Sequence, residues 1–138
     1  VQFNYDEARR LYGLAVVKDN ADAQNNLGKM YEDGRGVQQD FREAIRLYRL
    51  SAEQNNSDGQ NNLGKMYEVG RDVEQNFVEA ARLYKLAAAQ DNADAKNNLG
   101  KMYEDGRGVG SSLRTGATRS GLHKSLLKLN LGYRPPTF

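Results

Sequence analysis

The side chains best suited to bind another molecule recur in this chain at fixed intervals. The octapeptide NNLGKMYE occupies residues 25–32 and returns unchanged at 61–68 and at 97–104. An Asn amide can both donate to and accept from an extended peptide backbone, and a Lys one turn further along a helix can pair with a carboxylate. The repeated Asn and Lys side chains therefore favour non-covalent binding of a protein or an extended peptide.

Few groups in the chain could support catalysis. There is no Cys, which excludes a thiol nucleophile, a disulfide and a cysteine-based metal site. The single His is His123, and its position beside Lys124 is typical of a solvated surface residue. No set of His, Asp and Glu has metal-ligand spacing. The segment GRG at 34–36 has no strand before it, so we interpret it as a helix exit and turn rather than a phosphate loop. We expect no enzymatic activity, no cofactor and no metal.

Charge is divided unevenly along the chain. Residues 1–109 carry a net charge of −3 and residues 110–138 one of +5, which together give +2. Nucleic-acid binding needs a basic face with interleaved aromatic residues, and only the tail is basic, so no specific nucleic-acid partner is expected. No apolar run approaches the roughly 20 residues that span a membrane. The first residues are polar and do not resemble a signal peptide, and the localisation stays open.

The distance between the copies, 36 residues, is typical of a solenoid. Two full units, 21–56 and 57–92, agree at 24 of 36 positions. Residues 1–20 match the second half of a unit, and residues 93–109 match the first half. Stacked helix hairpins bury a continuous core that one hairpin cannot form alone. The sequence therefore predicts an all-α fold over 1–109, an α/α superhelix (solenoid) of antiparallel helix hairpins.

Each unit is predicted to contain two helices, because its apolar residues fall at helical spacing. The first helix ends at Gly34, a natural C-terminal residue. The second begins at Asp40, which forms a capping box with Glu43. Its end near Asn56 is predicted to use the left-handed conformation that Asn tolerates, as at Asn20 and Asn92. The predicted buried stripes are Ala23, Leu27, Met30 and Tyr31 in the first helix, and Phe41, Ala44, Ile45, Tyr48 and Ala52 in the second. The capping box recurs as Asn4 with Glu7 and as Asn76 with Glu79.

The pattern A-x-x-x-L-G-x-x-Y-x-x-G-x-G-V, followed by D-x-x-x-A-x-x-x-Y-x-x-A-A, resembles the Sel-one-like repeat, a relative of the tetratricopeptide repeat. The matching residues are Ala23, Leu27, Gly28, Tyr31, Gly34, Gly36, Val37, Asp40, Ala44, Tyr48 and Ala52. The resemblance implies a right-handed superhelix and a scaffold or adaptor role in protein–protein contacts, common in bacterial signalling and host interaction. Two residues of the second unit depart from this pattern. Asp72 stands where the other copies have Gly36 and Gly108, and Gly59 stands where the first unit has Ala23. Gly59 should weaken the start of the first helix in that unit.

The side of the first helix opposite Leu27 is predicted to line the concave groove, as in tetratricopeptide-like stacks. The predicted groove residues are Asp22, Asn25, Lys29, Glu32, Asp58, Asn61, Lys65, Glu68, Asp94, Asn97, Lys101 and Glu104. One alternative is a solvated face on which Lys and Glu merely pair at i, i+3. A second function class stays open as well, a small hydrolase or a binder of a small ligand such as a peptidoglycan fragment or a β-lactam. Some relatives linked to β-lactam binding carry disulfides, which this chain lacks.

Both ends of the chain depart from the repeat. Residues 110–138 lose the pattern and hold no acidic residue. One interpretation is that they come from a shifted reading frame or from vector sequence. The other is a C-terminal cap with a helix at about 120–130. The chain opens on Val1 without a Met, so it is interpreted as a fragment or a processed product. The amino end is a second helix without its first, and apolar residues among Tyr5, Leu11 and Val16 predict an end-to-end homodimer.

Overall fold

A computed structural model describes residues 3–110, which form six α-helices and no strand. The helices are α1 (Tyr5–Val17), α2 (Ala21–Asp33), α3 (Phe41–Glu53), α4 (Ser57–Val69), α5 (Phe77–Ala88) and α6 (Ala93–Asp105). The most extensive contacts join α2 to α3 and α4 to α5, as the two arms of each hairpin. The predicted all-α solenoid is confirmed. The cap helix proposed at about 120–130 lies outside the described residues, as does His123.

Helix ends follow the capping residues of the repeat. Gly34 ends α2 in the left-handed conformation at φ 68°, as predicted, and glycine also ends α4 and α6. Asp40 accepts backbone hydrogen bonds from Arg42 and Glu43 at the start of α3, both at 3.1 Å. A full capping box would also have the Glu43 carboxylate accept from the backbone N–H of Asp40. That bond is not formed, and the Glu43 carboxylate binds the Arg46 guanidinium at 2.6 Å. In α1 and α5 the equivalent glutamates likewise bind an arginine, Glu7 with Arg10 and Glu79 with Arg82.

The predicted left-handed exit at Asn20, Asn56 and Asn92 is wrong by one residue. Positive φ angles of 61–66° occur at the preceding residues, Asp19, Asn55 and Asp91. Asn56 is extended and caps α4, and its side-chain oxygen accepts from the Gly59 amide at 2.9 Å. The turn needs a left-handed residue to leave one helix and an extended residue to begin the next, so the two tasks fall on neighbouring positions.

The core lies between the two arms of each hairpin and between successive hairpins. Tyr48 and Tyr84 are fully buried, and Tyr48 packs with Ile45 of its own helix and Leu63 of the next hairpin. A Cβ atom on Gly28 would lie 2.8 Å from Cε1 of Tyr48, so the close helix approach expected at this glycine is present. The predicted stripes omitted Leu47, which is also fully buried.

The two substitutions in the second unit are accommodated. Asp72 takes φ 56° where Gly36 and Gly108 take 72° and 68°, in line with the tolerance of Asp for the left-handed region. Helix α4 spans 13 residues, as many as α2, although it carries Gly59 in its first turn.

Candidate peptide-binding groove

A polar groove of about 480 Å³ runs across α2, α4 and α6, the first helices of successive repeats. Its lining residues are Asn25, Asn26, Lys29, Asp58, Asn61, Asn62, Lys65, Asp94, Asn97 and Asn98. Seven of these were among the twelve predicted from the sequence. The remaining predicted residues, which do not line it, are Asp22, Glu32, Glu68, Lys101 and Glu104. The repeat therefore brings side chains from three hairpins into one site.

Asparagine pairs connect neighbouring first helices along the floor of the groove. Asn25 and Asn61 were predicted as groove residues open to a ligand, and both line the groove, but they are only 7% and 6% exposed. The Oδ1 of Asn25 accepts from Nδ2 of Asn62 at 2.8 Å, and the same bond joins Asn61 to Asn98 at 2.9 Å. These side chains are buried because the adjacent hairpin covers them, and their amide oxygens hold the hairpins together.

The second Asn of each copy was not among the predicted groove residues. Asn26, Asn62 and Asn98 all line the groove. The signal was present, because each octapeptide begins with two Asn residues. The two Asn residues are adjacent and point in different directions from the helix. The first Asn of a copy contacts the following hairpin, and the second contacts the preceding one. A ladder of asparagine pairs results, in which the Nδ2 groups of Asn25 and Asn61 donate to no other residue within 3–110.

A row of lysines follows the asparagines. Lys29 is half-buried, whereas Lys65 and Lys101 are exposed. Within residues 3–110, none of the three has a carboxylate within 4.0 Å. The i, i+3 pairing of Lys with Glu is therefore not observed, and the ammonium groups remain available to a ligand.

The glutamates of the repeat serve the hairpin rather than the groove. Glu32 accepts a hydrogen bond from the Tyr48 hydroxyl at 2.5 Å, and Glu68 accepts one from Tyr84 at 2.6 Å. Burial, reinforced by these bonds, raises the pKa of both tyrosines. Glu32 and Glu68 do not line the groove, because the fully buried tyrosine binds the carboxylate on the side of the second helix. Glu104 lies on α6 and is exposed.

The aspartates at the start of each first helix link successive repeats. Asp22 accepts from Nδ2 of Asn56 at 2.8 Å, and Asp58 accepts from Asn92 at the same distance. Asp58 and Asp94 also line the groove, so it contains acidic as well as basic groups. Over the residues described, no cluster of His, Cys, Asp and Glu could hold a metal ion. No helix in that part of the chain is long and apolar enough to cross a membrane.

Comparison with known families identifies the repeat. The model of the Sel1 repeat matches residues 21–56, 57–92 and 93–116. This chain belongs to the Sel1-repeat family. The third match extends past the end of α6 into residues that the structure does not describe. A comparison with curated protein sequences returns no significant match.

Solved Sel1-repeat structures share the fold. A protective antigen of uropathogenic Escherichia coli strains, which displays the SLR fold, is 40% identical with a TM-score of 0.73, over 77% of this chain and 23% of that one. A Sel1 repeat protein from Oxalobacter formigenes is 34% identical with a TM-score of 0.71, over 79% of this chain and 45% of that one. Helicobacter pylori cysteine rich protein B is 26% identical with a TM-score of 0.65, over 71% and 74%. The chain thus spans less than half the length of the first two.

Proposed function

We propose that the chain is a non-catalytic scaffold that binds an extended segment of another protein in the groove across α2, α4 and α6. Sel1 repeats are generally protein-interaction scaffolds. The observation that carries the proposal is the row of lysines without carboxylate partners, set beside a row of asparagine amides. A peptide offers both complements, carbonyl groups along its backbone and carboxylates on its side chains.

The groove is built to accept such a segment repeatedly. Helices α2, α4 and α6 contribute the same Asn amide one repeat further along, and α2 and α4 also contribute a lysine, so a peptide that follows the solenoid meets equivalent groups at regular intervals. Asp58 and Asp94 add sites for basic side chains at the N-terminal end of the first helices. The mixture of charges favours a peptide with both acidic and basic residues over a uniformly charged one.

The test begins with peptides selected from a random display library on the immobilised 138-residue chain. The dissociation constant of a selected peptide is then measured by fluorescence anisotropy for the wild type and for Lys29→Ala/Lys65→Ala, the two lysines that line the groove. We expect Kd to rise about fivefold, since two charge pairs contribute about 0.5 kcal/mol each. The matched control is Lys85→Ala, a lysine outside the groove, which should bind as the wild type does.

Asn25 and Asn61 are unsuitable as first targets, because their oxygens hold neighbouring hairpins together. Asn97 is exposed on the last described helix, so Asn97→Ala tests an amide without disturbing a junction between described residues. If the lysine double variant binds peptides as tightly as the wild type, the groove is not the binding surface. Turnover of a cell-wall or β-lactam substrate by the intact chain would instead support the hydrolase alternative.

A further inference from the structure

Helix α6 presents a face that its counterparts bury. Gly28 and Gly64 are each covered by a tyrosine ring of the second helix, whereas nothing described lies within 4 Å of a Cβ built on Gly100. Leu99 is half-buried although Leu27 and Leu63 are buried. Within residues 3–110, α6 is therefore a first helix whose second helix is absent.

Helix α1 presents the complementary face. It packs on α2 through residues that include Ala8 and Tyr12. Its other side carries Leu11, which is 51% exposed, whereas the residues 36 and 72 positions later, Leu47 and Leu83, are 0% and 2% exposed. In residues 3–110, α1 is thus a second helix whose first helix is absent.

We propose that the 138-residue chain associates head to tail, with α1 of one copy packed on α6 of another as α5 packs on α4. Tyr12 of the second copy then covers Gly100, and its hydroxyl donates to Glu104, as Tyr84 does to Glu68. Leu11 of the second copy packs on α6 as Leu47 packs on Leu27 and Met30 of α2.

The inter-repeat hydrogen bonds support a second copy as the occupant. In the described part of the chain the Asn26 amide has no hydrogen-bond partner, and Asn97 at the other end is exposed. Head-to-tail packing brings these two together as Asn62 meets Asn25. The segment that follows α6 in its own sequence offers less, because the repeat register places Arg119 and Ser120 where Leu47 and Tyr48 stand.

One position of the junction is mismatched. Within the two complete hairpins the Gln54 amide donates to the Gln24 oxygen at 2.8 Å, and Gln90 donates to Gln60 at 3.0 Å. The equivalent pair across the new junction is Lys18 with Lys96. The Lys96 ammonium binds the Asp91 carboxylate at 2.9 Å, so the repulsion between the two lysines is partly neutralised. Lys96→Gln should strengthen association, by restoring a donor and acceptor pair.

The contact is heterologous, so it leaves one open face on each end and produces chains or rings rather than closed dimers. Sedimentation velocity of the full chain over a range of concentrations should show growing assemblies. Two variants block one face each. Gly100→Ala places a methyl group where the tyrosine ring must lie, and Leu11→Asp places a charge on the face of α1. Each alone should weaken association by on the order of tenfold or more.

An equimolar mixture of the two variants distinguishes this arrangement from every symmetric one. Each single variant lacks one of the two required faces in all copies. In the mixture, α1 of the Gly100→Ala copy meets α6 of the Leu11→Asp copy, so one-to-one heterodimers should form. Thermal melts followed by circular dichroism check that both variants fold; both positions are open in the described chain.

The outcomes decide the proposal. A wild-type chain that stays monomeric at all concentrations overturns it, and indicates that residues 111–138 or nothing covers α6. Undiminished association of Gly100→Ala also overturns it, because α1 would then be meeting another α1. Heterodimers in the mixture, together with tighter association of Lys96→Gln, support it.

Discussion

One octapeptide has two environments in this molecule. At residues 61–68 of α4, Gly64 lies under the Tyr84 ring and Glu68 binds the Tyr84 hydroxyl. At residues 97–104 of α6, the sequence is identical, but nothing described approaches Gly100 and Glu104 is exposed. Both copies form the same helix with the same glycine cap. The sequence therefore determines the helix, whereas the neighbouring helix determines what each side chain does.

Replacement of each glycine by alanine should have opposite effects in the two copies. Alanine favours a helix by about 1 kcal/mol relative to glycine at both positions. At Gly64 the new Cβ would lie 2.8 Å from Cε1 of Tyr84, and such overpacking costs about 1–3 kcal/mol. We expect Gly64→Ala to lower the free energy of unfolding by up to about 2 kcal/mol and Gly100→Ala to raise it by about 1 kcal/mol, as measured by urea unfolding.

The measurement belongs at low protein concentration, where self-association does not contribute. Because the helix-propensity gain is common to both variants, their difference reports the contact with Tyr84 alone. Equal effects at the two positions would show that residues of the same chain cover α6 in solution.

The junctions between hairpins offer a second comparison. The contact between α3 and α4 pairs Ser51 with Gly59. The equivalent positions 36 residues away on either side are both alanine, Ala15 with Ala23 and Ala87 with Ala95. A Cβ on Gly59 would lie 2.5 Å from Oγ and 2.7 Å from Cβ of Ser51. The extra hydroxyl of one residue is thus compensated by the missing methyl group of the other.

This compensation predicts a coupled pair of substitutions. Gly59→Ala alone should destabilise the chain by about 1–2 kcal/mol, since the Ser51 side chain is fully buried and cannot move aside. Ser51→Ala loses the hydrogen bond from Oγ to the Ala21 carbonyl, 2.8 Å long. In the double variant, which restores the alanine pair of the outer junctions, we expect a favourable coupling energy of about 1 kcal/mol from urea unfolding. Additive effects would mean that the two side chains do not compete for space.

Most of the fold could be predicted from the period, the apolar spacing and the glycine at the end of each first helix. The site was harder to predict, and Asn25 shows why. A helical wheel describes one helix, and it correctly places Asn25 away from Leu27. It contains no neighbouring hairpin, so it could not show that Asn62 covers that side. The position of Glu32 was not predicted for the same reason, because its partner Tyr48 lies 16 residues away on another helix.

The tyrosine–glutamate bond, which the internal hairpins have and α6 lacks within residues 3–110, predicts alkaline sensitivity. Burial, then the bond to glutamate, raises the pKa of Tyr48 and Tyr84 above the ordinary value of about 10. In the unfolded chain both tyrosines ionise near that value, while in the folded chain they stay protonated. Their contribution is therefore complete below about pH 10 and is lost as the pH rises further. Between pH 10 and 11 the free energy of unfolding should fall by about 1 kcal/mol per tyrosine.

Urea unfolding at pH 9, 10 and 11 measures this fall, and the double variant Tyr48→Phe/Tyr84→Phe should remove it. Lysines also titrate near pH 10.4, but they do so in both proteins, so the difference between the two curves isolates the tyrosines. A single Tyr84→Phe variant should remove half of the fall, because the two hairpins bury equivalent tyrosines with equivalent glutamate partners. Parallel curves for the wild type and the double variant would mean that the folded hairpins admit a charged tyrosine, and that water reaches the glutamate side of the ring.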